Sequence, residues 1–122
     1  MNWGGWGVYQ RTLSDCGCAA IGTLAGLSYD RVADAWREEL GRAPAGSHYW
    51  QLLAVLRRLG IRAEKVSSCE WGIRRARCQK GDRHSHWIMT YSDGSIWCPT
   101  LGYFESIKDY GMPHLGHGIR LA

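Results

Sequence analysis

Up to Gly60 the apolar residues of this chain recur at helical spacing, and beyond Gly60 they alternate as in strands; no other feature of the sequence constrains the fold as tightly. Tyr29, Val32, Ala33, Trp36 and Leu40 form one stripe of a helix, with Ser28 placed to cap its start and Gly41 to stop it. A second stripe, Tyr49, Leu52, Leu53, Leu56 and Leu59, follows APAGS, with Ser47 as the predicted cap and Gly60 as the end. Ahead of both, Ser14 or Asp15 can cap a helix whose repeating residues are Cys18, Ile21, Leu24 and Ala25, which places Cys16 near a helix N-terminus. These stripes read as core.

After Gly60, IRAEKV alternates, and the runs HWIMTY and SIWCP flank an Asp93-Gly94 turn signal, predicting a hairpin. The final HGIRLA predicts an edge strand, and YFESIKDYG a short helix or a loop. Residues 1–9, rich in Gly and Trp, read as an extended lead-in that packs on the rest. Helices first and strands afterwards predict an α+β fold, with the N-terminal helices packed on one side of an antiparallel sheet. The length of 122 residues, 45% of them hydrophobic and including seven Trp and six Tyr, predicts a single domain over residues 1–122.

Neither a signal peptide nor a run of eighteen apolar residues is present, so a cytoplasmic protein with no membrane partner is expected. Five cysteines is an odd number in such a chain and predicts free thiols in place of a disulfide framework. Much of the net charge of +4 gathers in IRRARCQKGDRH, where Arg74, Arg75, Arg77, Lys80 and Arg83 crowd together. Without a stacking ladder or a nucleic-acid signature, this run reads as a solvated face, and a nucleic-acid partner is not expected. No sequence feature assigns an oligomeric state.

Chemistry concentrates around Cys16. A nucleophilic cysteine needs a lowered pKa, a base for its proton and donors for the oxyanion formed on attack. A helix N-terminus stabilises an adjacent anion by about 0.3–1 kcal/mol, less than one pKa unit, so an imidazole must supply the rest. Gln10 offers one oxyanion donor through its amide, the Cys16 N–H a second, and Gly17 lets a substrate backbone approach.

The residues Gln10, Asp15-Cys16-Gly17 and Ala19, followed about seventy residues later by His86-Trp87-Ile88, resemble the bacteriocin-processing (double-glycine leader) peptidases, a family of papain-like cysteine peptidases. The resemblance extends to a later strand ending in Cys98-Pro99-Thr100-Leu101-Gly102. It implies a papain-like fold, Cys16 as nucleophile, His86 as general base and acid, Gln10 as oxyanion residue, and a protein or peptide substrate cleaved through a thioester without a cofactor. It also identifies a departure: the family has an orienting aspartate before the proline, where this chain has Cys98, and a thiol is a weak hydrogen-bond acceptor. Hence a second expectation, a weakened domain that binds or inhibits another protein.

Register bears on Cys98. A two-residue Asp93-Gly94 turn would pair Tyr91 with Ile96 and turn Cys98 away from His86. A three-residue Ser92-Asp93-Gly94 loop, with Gly94 in a left-handed bulge, pairs Tyr91 with Ser95 and brings Cys98 to the face of His86. The resemblance requires the latter, which leaves Asp93 at the hairpin tip, unable to replace the missing carboxylate. Taken singly these residues have plain readings: Cys16 and Cys18 as small buried hydrophobes, His86 and His84 as structural or surface imidazoles, Gln10 as a solvated loop residue. Cys69, Cys78, His84 and His86 are of the types zinc prefers, but no close Cys-x2–4-Cys step occurs, and metal binding is not expected.

Overall fold

The computed structural model describes residues 6–67, 71–77, 85–111 and 114–122, with backbone alone for residues 77, 85 and 114–116. Three helices come first, α1 (Cys16–Ala25), α2 (Tyr29–Leu40) and α3 (Tyr49–Arg58). Strands β1 (Ala63–Val66), β2 (Gly72–Arg77), β3 (Ser85–Thr90), β4 (Ile96–Cys98) and β5 (Gly102–Phe104) follow, then a short α4 (Ile107–Tyr110) and β6 (His114–Leu121). The strands make one sheet, in the order β1-β6-β2-β3-β4-β5, with every described pairing antiparallel.

Helix α1 is central, packing against α2, α3, β2 and β3. Its sequence, CGCAAIGTLA, is small or apolar all round, which suits a helix buried on every side. Helix α2 is amphipathic and buries Val32, Ala33, Ala35 and Trp36; the Ser28 hydroxyl accepts from the Arg31 N–H, and Gly41 ends the helix at φ 72°. Trp36, with no exposed surface, anchors this layer, and a buried side chain of that class contributes about 3 kcal/mol. Helix α3 buries Leu52, Val55 and Leu56. Its cap is His48, not Ser47: the His48 N–H donates to Gln51 Oε1 at 2.8 Å.

Three predictions about the sheet need correction. The basic run contributes β2, a central strand in which Ile73 and Ala76 are buried; arginines at neighbouring positions break the apolar alternation that marks a strand. HGIRLA lies in β6, which is internal because β1 pairs along its outer side. YFESIKDYG gives both a strand, β5, and a helix, α4.

Two apolar layers result. Trp87, Met89 and Trp97 join Ile73 and Ile119 under α1–α3. On the reverse face Ala76, Ile88, Ile96 and Cys98 gather beneath Tyr110 of α4 and Phe104. The helices are therefore not all on one side: α1–α3 cover one face and α4 contributes to the other. No helix among the described residues is long and apolar enough to cross a membrane.

Candidate active site

The lead-in is tied down residue by residue. Trp6 Nε1 donates to the Gly22 carbonyl at 3.0 Å and the Val8 N–H to Thr23 Oγ1 at 3.0 Å, fixing it along α1. Trp97 Nε1 donates to the Val8 carbonyl at 3.0 Å and the Gln10 N–H to the Pro99 carbonyl at 3.0 Å, fixing it along the end of β4. Gln10 is thereby held between the cysteine helix and the segment after Cys98. Its Nε2 donates to the Thr12 carbonyl at 2.7 Å and its Oε1 accepts from the Thr100 hydroxyl at 2.7 Å. A carbonyl only accepts, so Thr12 fixes which end of the amide carries the donors. One N–H of the amide is used by Thr12.

Asp15 governs the turn that follows. It occupies the N-cap position of α1, but its side chain caps nothing in the helix. The fully buried carboxylate turns back, accepts the N–H groups of Arg11 and Thr12 at 3.0 Å each, and takes the Tyr29 hydroxyl. Burial pushes its pKa up, but these donors outweigh burial and hold it below the usual carboxylate value. Burial, helped by the Asp15 bond, pushes the Tyr29 phenol in the opposite direction, well above its usual value. Arg11 stacks over the Tyr29 ring at 4.1 Å and pairs with Asp30 at 2.6 Å, closing the outer side of the turn. Nothing local in the sequence announces Tyr29 as the partner of Asp15.

Cys16 is the first residue of α1, and its sulfur accepts the Trp87 backbone N–H at 3.4 Å. Folding has thus carried the peptide that joins His86 to Trp87 against the sulfur. Of the three described cysteines, all free, Cys16 retains 8% exposure while Cys18 and Cys98 have none. Its acidity departs from expectation: burial raises the thiol pKa, the Trp87 N–H lowers it, and the neighbouring Asp15 charge raises it again, leaving it above the ordinary thiol value. Cys18 packs in the core with its sulfur 3.8 Å from the Tyr29 carbonyl, and burial pushes it up to about 12.

Gly17 is closely packed. A Cβ there would lie 2.9 Å from Leu52 Cδ2 and 3.1 Å from both Ser47 Oγ and Trp87 Cδ1, so protein atoms already fill the space and the glycine lets α1 seat against β3 and α3.

The hairpin has the three-residue loop. Tyr91 and Ser95 are hydrogen-bonded across it, Gly94 has φ 87°, and Thr90 and Met89 pair with Ile96 and Trp97. Asp93 caps the tip by accepting the Ser95 N–H at 2.9 Å. This register sets Cys98 opposite Ile88, on the sheet face of Ala76 and half-buried His86. The Cys98 sulfur accepts the Tyr110 hydroxyl at 3.3 Å. Cys69, Cys78 and His84 of the weighed metal set lie outside the described residues.

No family model matches the sequence, and no curated protein matches it. Solved structures do. The peptidase domain of Streptococcus ComA, a bi-functional ABC transporter involved in a quorum-sensing pathway, superposes with a TM-score of 0.64 at 16% identity, covering 94% of this chain and 96% of that one. The peptidase domain of Streptococcus mutans ComA superposes with a TM-score of 0.60 at 16% identity, covering 95% and 98%. This chain therefore has the α+β fold of those peptidase domains over nearly its whole length.

Proposed function

We propose that the protein is a cysteine peptidase in which Cys16 is the nucleophile, His86 the general base and acid, and Gln10 an oxyanion donor. The observation that carries this reading is the 3.4 Å contact between the Cys16 sulfur and the Trp87 N–H, at the opening of a helix and one residue from the histidine. A fold shared with peptidase domains supports it.

Cys16 rests as a thiol, because burial raises it. Attack therefore couples two events: Sγ bonds to the carbonyl carbon as its proton passes to the His86 imidazole. The oxyanion of the tetrahedral intermediate takes the free N–H of Gln10 and the Cys16 N–H. The imidazolium then returns the proton to the departing amine, leaving a thioester that water hydrolyses by the same route. A peptide or an isopeptide bond suits this sequence of steps.

A second reading has its own observation. Cys98 holds the place of the family's orienting carboxylate, and its sulfur is occupied by Tyr110; a fold so altered can persist as a protein-binding or inhibitory module. The test is acid quench of the protein with a peptide library, followed by mass spectrometry. A peptidase yields an acyl adduct on Cys16 that is absent in Cys16→Ala, and turnover falls about 10²–10⁴-fold in His86→Ala. Tight peptide binding with no adduct and no cleavage favours the module.

A further inference from the structure

Beside the sulfur, on the side of Trp87, two cations share an aromatic platform. Register places Arg75 opposite Trp87, and aligns Lys65 with Ile119 and Ile73 on the same sheet face. The Arg75 guanidinium lies 4.7 Å from the Trp87 ring and 5.2 Å from that of Tyr49, and Lys65 Nζ lies 4.5 Å from the Tyr49 ring. Tyr49 is itself held: its hydroxyl donates to the His117 carbonyl at 2.6 Å, and its ring meets Trp87 edge-on at 4.7 Å.

The ion pairs among the described residues join Arg11 to Asp30, Arg37 to Asp34, Arg58 to Glu38 and Arg120 to Glu64. None involves Lys65 or Arg75. Like charges gathered on one platform without a described carboxylate repel each other, and a bound anion removes that repulsion. A guanidinium stacked on a ring still presents its N–H edge, which fits a carboxylate through two parallel bonds. Trp87 links the platform to the chemistry, since its N–H donates to Cys16 Sγ while its ring carries Arg75.

We infer that Lys65 and Arg75, on Tyr49 and Trp87, form an anion subsite that takes a carboxylate of the peptide bound at Cys16. This rests on the peptidase reading and adds the substrate class: a peptide with an acidic side chain or a free C-terminus near the reacting bond.

Two measurements test it. Alkylation of Cys16 by iodoacetate and by iodoacetamide at low salt gives a rate ratio within each protein, so any change in the sulfur's own reactivity cancels. The ratio exceeds that of glutathione by about threefold or more, and falls to the glutathione value in Lys65→Gln/Arg75→Gln and at high salt. A ratio insensitive to the double substitution overturns the subsite. If the sulfur proves inert to both reagents, the peptidase reading fails separately, and the subsite is judged on Cys16→Ala by NMR titration of the Trp87 indole signal. There Ac-Ala-Glu-Ala-NH2 or Ac-Ala-Ala-OH shifts the signal saturably while Ac-Ala-Gln-Ala-NH2 does not, each response vanishing in the Lys65→Gln/Arg75→Gln background. The better of the two acids identifies the carboxylate's source, and equal, weak responses to all three peptides overturn the proposal.

Discussion

Asp15 shows how much one buried carboxylate can organise. It accepts two backbone N–H groups and the Tyr29 hydroxyl, and so sets the turn whose Thr12 carbonyl orients Gln10. Asp15→Ala leaves those donors buried without a partner and is expected to cost about 3 kcal/mol, lowering Tm by roughly 10 °C in thermal melts. The pH dependence follows from the sign of the shift. A carboxyl held below its usual value binds its proton less tightly when folded, so its stabilisation is full above about pH 4 and is lost as pH falls through the folded value. Acid titration of stability should therefore be shallower in Asp15→Asn than in the natural protein. Gly17→Ala is a second test at this scale. The added methyl meets Leu52 and Trp87, so overpacking of about 1–3 kcal/mol is expected, with slower Cys16 alkylation as β3 is pushed from the sulfur.

At the scale of elements, the hairpin between β3 and β4 decides which residues share a face. Its three-residue loop depends on Gly94 at φ 87°, and Gly94→Ala should cost about 1 kcal/mol in urea unfolding. The register it fixes puts Cys98 under Tyr110, so Tyr110→Phe removes a donor to the buried sulfur and should cost about 1 kcal/mol in urea unfolding. This hairpin, and helices α1–α3, were legible because their patterns are local: stripes at three- and four-residue steps, glycines past helix ends, Asp-Gly between alternating runs. Strand β2 was not, because Arg74 and Arg75 stand side by side where alternation would be expected, and its neighbours β3 and β6 supply the context that makes it a strand. The same holds for β6, whose internal place depends on β1 pairing from nearly sixty residues earlier.

Over the whole molecule, a layer of three helices presses the start of α1 onto β3, and this brings Cys16 to the His86–Trp87 peptide. The resemblance drew Cys16 and His86 together in the sequence, and in the structure the Cys16 sulfur meets the N–H of the residue after His86. What surrounds them was hidden, because Asp15 with Tyr29, and Tyr49 with Lys65 and Arg75, meet only through tertiary packing. The raised Cys16 thiol belongs here too, since it reflects the depth at which the layers bury the sulfur. The most direct measurement is the rate of iodoacetamide alkylation at each cysteine from pH 6 to 10, in the natural protein and in His86→Ala. Cys16 should react before Cys18 and Cys98, with a rate still rising above the ordinary thiol pKa of about 8.5, and should slow about tenfold or more near neutral pH in His86→Ala. Equal rates in the two proteins, or no preference for Cys16, would contradict the account.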